Sequence, residues 1–181
     1  MAIHRLDLDE FDEIDYYLMA IHTSLEDYRL AYFINKILPI NLSKSKNEIH
    51  AQTKEGEANF SRFYYYDSEK AVSWNLIQNK NEIISVSTND FQNLFSNETS
   101  EVSTTIHLLP EFKKVDFFLK IENSEETLNF SEIQQQLNTI ESVAAIYAVD
   151  TNKIKSKNNL IFKKNVNKQE NQNCCYTWSR M

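Results

Sequence analysis

The chain has one glycine, two prolines and two cysteines in 181 residues. A P-loop, a dinucleotide fingerprint and a nucleophile elbow each need glycines where the backbone turns sharply or approaches a ligand. Gly56 alone cannot supply any of them, which removes the common nucleotide-handling and serine-hydrolase classes. No apolar run approaches the roughly 20 residues that span a bilayer. The opening MAIHRLDLDEFDEID is acidic where an export signal would be basic and then apolar, so a cytoplasmic protein with no membrane association is expected. Cys174 and Cys175 are neighbours in a polar stretch, and adjacent cysteines bridge only through a small strained ring. They are expected to be free thiols, as in a reducing compartment.

Charge of one sign is also short. The net charge is −7, which disfavours sequence-independent binding to nucleic acid or to anionic lipid by the chain as a whole. The distribution is uneven: residues 1 to 27 hold eight acids, Asp7, Asp9 and Glu10 among them, against Arg5 alone. Residues 151 to 181 hold six lysines and Arg180 against Glu170. These ends read as solvated surfaces of opposite sign, with Asp7, Asp9 and Glu10 as candidates for docking a basic partner.

What is abundant is material for a core. Hydrophobic residues make up 41% and aromatics 12%, including eleven Phe and nine Tyr. A chain of this length buries about 70% of the surface its unfolded form exposes, so one domain over residues 1 to 162 is expected, followed by a disordered polar tail over 163 to 181.

Tyr16 to Thr23 is apolar on both faces, as in a strand covered on both sides. Ser24 with Asp27 has the spacing of a capping box, and Leu30, Phe33, Ile34, Ile37 and Leu38 form one helical stripe before Pro39. A helix over 24 to 38 packed on a sheet follows. Glu48 to Thr53 and Ala58 to Tyr66 flank Lys54-Glu55-Gly56-Glu57 as a hairpin, and Val72, Trp74 and Leu76 alternate with Ser73 and Asn75 as a further meander strand. Residues 87 to 105 are polar and poorly periodic and read as a mobile insertion. Ser131 opens a short helix with Ile133, Leu137 and Ile140 inward, and Val143 to Val149 returns as a strand, parallel to the strand before the helix if the two are neighbours. The expected fold is α+β: a mainly antiparallel sheet of five to seven strands with two helices, 24 to 38 and 131 to 140, packed on one face.

Reactive groups are scattered. His4, His22, His50 and His107 lie at least eighteen residues apart with no ligand partner at metal-site spacing, and no metal or cofactor is expected. Phe63 to Tyr66 could stack bases beside the basic tail, but a strand must turn alternate residues into the core. Tyr64, Tyr65 and Tyr66 are therefore candidates for a protein interface, with RNA association as the alternative. Glu111 and Asp116 invite reading as an acid and base pair. Five residues apart on an extended strand, however, they face opposite ways. The structural expectation is that Glu111 bonds backbone at the strand entry while Asp116 faces a neighbouring strand or a cation.

That last pair belongs to the stretch on which the sheet is centred, Leu108 to Ile121. Val115, Phe117, Leu119 and Ile121 fall on one face at period two, with Asp116, Lys120 and Glu122 on the other and Phe118 as the exception. Pro110, Glu111, Val115 and Asp116 also stand at the spacing of the motif that names the IPExxxVDY family, small soluble bacterial proteins of unassigned activity. Leu109 replaces the Ile and Phe117 the Tyr, both keeping bulk and apolarity. The runs Ser24 to Phe33 and Leu160 to Phe162 are similar to that family too, so the resemblance covers roughly residues 3 to 162. It implies a fold and no mechanism. The expected role is thus a non-enzymatic, cytoplasmic protein-interaction module.

Overall fold

β1 (Tyr16–Thr23) shows why the centre of this protein has two cores. Its odd positions, Met19 and Ile21, point into one apolar layer, and its even positions, Leu18 and Ala20, into another. All four are fully buried. The computed structural model describes residues 16–53, 56–87, 100–123 and 128–162. Asp7, Asp9 and Glu10, the two cysteines and the tail from 163 onward lie outside them.

β1 runs into α1 (Asp27–Ile37), whose stripe buries Leu30, Ala31 and Ile34 and continues to Leu38. The helix starts later than the capping box implies. Glu26 is the N-cap residue and its side chain makes no capping bond. Thr23 Oγ1 instead accepts from the Leu25 N–H at 3.1 Å, and Asp27 pairs with Lys44 at 3.5 Å.

Among the described residues, eight strands follow before α2: β2 (Ser43–Lys44), β3 (Ile49–Thr53), β4 (Gly56–Phe60), β5 (Arg62–Asp67), β6 (Val72–Gln78), β7 (Lys80–Ser87), β8 (Ser100–His107) and β9 (Phe117–Glu122). α2 (Phe130–Leu137) is capped by Asn129, whose side chain accepts from the Glu132 N–H, and leads to β10 (Val143–Ala148). The main sheet has six strands in the order β10-β1-β9-β6-β5-β2, every neighbouring pair antiparallel. Two hairpins, β3-β4 and β7-β8, form separate two-stranded sheets. The fold is α+β, as expected.

One layer lies between the main sheet and both helices: Leu30, Ile34, Ile133 and Leu137 meet Met19, Trp74, Leu76, Leu119 and Ile121. Tyr17 and Phe130 stack in it with ring centroids 3.8 Å apart. The opposite face of the sheet is covered as well. Leu18, Ala20, Ile77 and Phe118 pack there against Ala58 and Phe60 of the first hairpin, Ile106 of the second, Leu108, Leu109 and Val115, and Ile154 and Leu160 near the end of the described chain.

Several expectations are corrected by this second layer. The run Ala58 to Tyr66 divides at Ser61, because Phe60 belongs to a hairpin on the second face while Phe63 faces the helices. Gly56 lies within β4, paired with Thr53, rather than in the hairpin loop. Residues 100 to 105, expected to belong to an insertion over 87 to 105, lie instead in β8, which pairs with β7 along its whole length; polar β-branched residues such as Thr104 and Thr105 sustain a strand once a partner is present. Val115 does not share a face with Phe117, since a 3₁₀ turn at Pro110–Phe112 precedes it and the strand begins only at Phe117. Phe118 is no exception, and Lys120 is not solvated: both face the second layer, with Lys120 buried. β10 does run parallel to β9, but β1 lies between them.

Candidate functional site

The motif residues are gathered by Asn79, a fully buried side chain between β6 and β7. Its Nδ2 donates to the carbonyls of Phe112 and Val115, both at 2.9 Å, and its Oδ1 accepts from the Leu109 N–H at 2.9 Å. Its backbone N–H donates to Asp116 O, and its carbonyl accepts from the Leu108 N–H. Residues 108–116 therefore fold as a tight turn around one amide, with Pro110 at the first position of the 3₁₀ turn and Val115 buried beneath it.

Glu111 reaches away from that turn. Its Oε1 accepts from the backbone N–H groups of Lys155 and Ser156 at 2.8 and 3.0 Å, and Oε2 accepts from the Ser156 hydroxyl. Burial raises the affinity of this carboxyl for its proton. The combined hydrogen bonds from Ser156, from the backbone of Glu111 itself and from Lys155 outweigh that effect, and the group titrates below the ordinary range. Asp116 turns the other way, with Oδ1 2.6 Å from Lys80 Nζ and Oδ2 accepting from the Thr23 N–H at 3.0 Å. His22 Nδ1 lies 4.0 Å from the same oxygen, and His22 Nε2 is 3.3 Å from the Tyr147 hydroxyl. Glu111 and Asp116 are thus not brought together; each ties the turn to a different part of the chain.

A second polar cluster occupies the opposite end of the same sheet face. Lys120 is 3% exposed and donates to Glu122 Oε1 at 2.6 Å and to the Leu160 carbonyl at 2.7 Å. Arg62, 8% exposed, donates from Nε to Asn75 Oδ1 at 2.9 Å, and Asn75 donates to Glu122 Oε2 at 3.4 Å. Phe162 lies over both cations, 4.4 Å from the Arg62 guanidinium carbon and 5.1 Å from Lys120 Nζ. Tyr16 places its ring 4.6 Å from Lys120 Nζ, and its hydroxyl is buried with no hydrogen-bond partner among the described residues. Desolvation holds Lys120 and Arg62 below their ordinary pKa values against the pull of Glu122. It also raises that of Tyr16, assisted by the Glu122 charge. Nothing in the period-two pattern of β9 distinguishes a buried lysine from a solvated one, so this cluster was illegible in sequence.

The aromatic run is divided by its strand. Phe63 and Tyr65 turn toward the helices, while Tyr64 lies under the Arg62 guanidinium at 5.3 Å. Tyr66 is the most exposed of the three candidate tyrosines, at 47%. The larger exposed aromatics are Tyr28 and Tyr32, one helical turn apart on α1, which sequence reasoning passed over. Among the described residues, no group of three histidine, cysteine or carboxylate side chains is arranged to hold a metal ion, and no helix is long and apolar enough to cross a membrane.

The helix side carries a cleft of about 370 Å³ where the end of α1, the start of α2 and the β5-β6 turn converge. Leu38, Ile40, Val72, Trp74, Leu128 and Ile133 supply its apolar lining; Asp67, Lys70, Glu132 and Gln136 contribute polar groups of both signs. Asp67 shapes that turn by accepting from the Glu69 and Lys70 N–H groups, and Ala71 closes it with φ of 54°. The candidate docking site is this cleft, which no linear motif marks because three separate segments build it.

Comparison with family models, curated proteins and solved structures finds no match in any of the three.

Proposed function

We propose that this protein is a non-enzymatic interaction module, acting in the cytoplasm, that seats an apolar anchor side chain of a partner polypeptide in the cleft between α1 and α2. The observation that carries this reading is the cleft itself: a concave apolar lining at the meeting of three segments, with charges of both signs around it. Pockets of this size and character take one or two bulky side chains, and interfaces draw most of their energy from such anchors. The resemblance of Pro110, Glu111, Val115 and Asp116 to the IPExxxVDY motif is compatible with this role, because those residues spend their bonds on the fold and are left without a reactive task.

The test is a titration with short peptides, each carrying a single Leu, Phe or Trp in a polar background. Binding is read from backbone amide NMR shifts of the full chain. Saturable shifts centred on Ile40, Val72 and Ile133, lost in Ile40→Asp with the fold retained, support the proposal. Shifts that do not saturate for any anchor, or that survive Ile40→Asp unchanged, refute it.

A further inference from the structure

The cluster at Arg62 and Lys120 holds more hydrogen-bond donors than it has acceptors to satisfy. A guanidinium carries five N–H donors, and among the described residues Arg62 uses one, from Nε to Asn75. The Tyr64 and Phe162 rings lie 5.3 and 4.4 Å from its guanidinium carbon, and the N–H groups on the edge bearing its terminal nitrogens have no partner among the described residues. Tyr16 adds a buried hydroxyl with no partner among the described residues. On the acceptor side, Glu122 is committed through both oxygens, one to Lys120 and one to Asn75. Among the described residues, two buried cations face one carboxylate, an excess of one positive charge in a poorly hydrated place.

The contrast with the other end of the same sheet face is direct. There Asp116 takes Lys80 on one oxygen and the Thr23 N–H on the other, and a single cation meets a single carboxylate. The surplus is particular to the Arg62 end. That end is also open to solvent along one side, since the Glu122 side chain is 34% exposed and Tyr16, Tyr64 and Phe162 are only partly buried.

We infer that the Arg62–Lys120 cluster is a binding site for a small oxyanion, a carboxylate or a phosphate, held by the free edge of Arg62 and the Tyr16 hydroxyl. Arginine suits this task because its planar N–H edge matches two oxygens of such a group at once. Lys120 and Asn75 complete the arrangement without contacting the anion: Lys120 keeps Glu122 turned aside, and Asn75 fixes the guanidinium through Nε. The site is independent of the apolar cleft, which lies on the opposite face of the sheet.

The experiment is calorimetric titration of the full chain with sodium phosphate and, separately, sodium acetate, each against chloride at matched ionic strength, with amide NMR to locate the response. Saturable binding of either anion, with shifts at Tyr16, Arg62 and Phe162, is expected; the arm that saturates says which oxyanion the site takes. Arg62→Gln should weaken it at least about tenfold, the loss of a charge-assisted hydrogen bond. Tyr16→Phe removes only the unpartnered hydroxyl, leaves packing intact and should weaken binding severalfold. It therefore decides the matter even if Arg62→Gln does not fold. Responses to both anions that equal that of chloride, or affinities unchanged in Tyr16→Phe, overturn the inference.

Discussion

The backbone N–H of Asn79 donates to the carbonyl of Asp116 at 2.9 Å, so the residue whose amide folds the 108–116 turn also positions the carboxylate that ties this turn to β1 and β7. Asn79 sits between two strands of different sheets, and through this contact the main sheet and the second hairpin share one anchoring point.

Asn79→Ala leaves the Val115 carbonyl and the Leu109 N–H without partners in a buried place and takes one of two donors from the Phe112 carbonyl. Each such group costs about 1–3 kcal/mol, and the expected loss of stability is roughly 3 kcal/mol or more. Asn79→Asp should be worse, because a carboxylate would face the carbonyls of Phe112 and Val115. Urea unfolding curves that differ from wild type by less than about 1 kcal/mol would show that the amide does not organise the turn.

Asp116 and Lys80 are each between a quarter and a third exposed, so their ion pair is screened and contributes no more than about 1 kcal/mol. Asp116 additionally accepts from the Thr23 N–H, a bond Lys80 has no share in. Asp116→Ala is thus expected to cost more than Lys80→Ala, with the double variant close to Asp116→Ala alone. A double-mutant cycle in which Lys80→Ala is the costlier change would contradict this.

The Glu111 carboxyl titrates below its ordinary value of 4.5, because the bonds from Ser156, its own backbone and Lys155 together outweigh the opposing effect of burial. The folded state therefore holds the charged form more tightly than the unfolded chain does. The stability these bonds confer is fully present above about pH 4.5 and is lost as the pH falls through the lower folded value. Glu111→Gln should melt below wild type at neutral pH, and the gap should narrow in acid. Melting scans in which the gap stays constant or widens toward low pH would rule out this linkage.

Lys120 and Glu122 should respond unequally to truncation. Glu122→Gln strips the carboxylate from a buried ammonium, and uncompensated buried charges cost about 3–5 kcal/mol. Lys120→Met removes the buried charge and leaves Glu122, a third exposed, to water, so it should cost less. Chemical denaturation that ranks the two substitutions in the reverse order would mean that the Leu160 carbonyl, not Glu122, is the decisive partner of Lys120.

β10 is an edge strand of the main sheet, and edges recruit other strands unless they are blocked. Gln134 donates to the Ile146 carbonyl at 2.8 Å and Asn138 accepts from the Ile146 N–H at 3.0 Å, so side chains from α2 and its C-cap occupy the middle of this strand's backbone. Replacing both with alanine should produce concentration-dependent self-association in light scattering. A double variant that remains the same size as wild type over a wide concentration range would refute the blocking role.

Much of the fold was legible because local chemistry and tertiary pairing agreed there. The bounds of β1, the buried stripe of α1, the inward residues of α2 and the turn at Asp67 all follow from periodicity and turn chemistry. The errors share one cause. Period-two alternation separates core from water in a sheet covered on one face, whereas for β6 and β9 it separates one apolar layer from another, so Asn75 and Lys120 are buried on the face that alternation alone assigns to water. β8 escaped notice because its Ser and Thr residues carry little hydrophobic signal and are strand only by virtue of β7.

By itself the sequence determined the class of this protein: its aliphatic and aromatic periodicities require a sheet with helices against it, and its single glycine denies it the phosphate-cradling loops. Only the tertiary structure decided which polar residues meet. Asn79 gathers Leu109, Phe112 and Val115; Arg62, Lys120 and Tyr16 converge from three strands; and the cleft forms where two helix ends and a hairpin turn come together. The physical reason is that periodicity reports which way a side chain faces, while partnership depends on strand order and register, which are set by contacts between residues far apart in the chain.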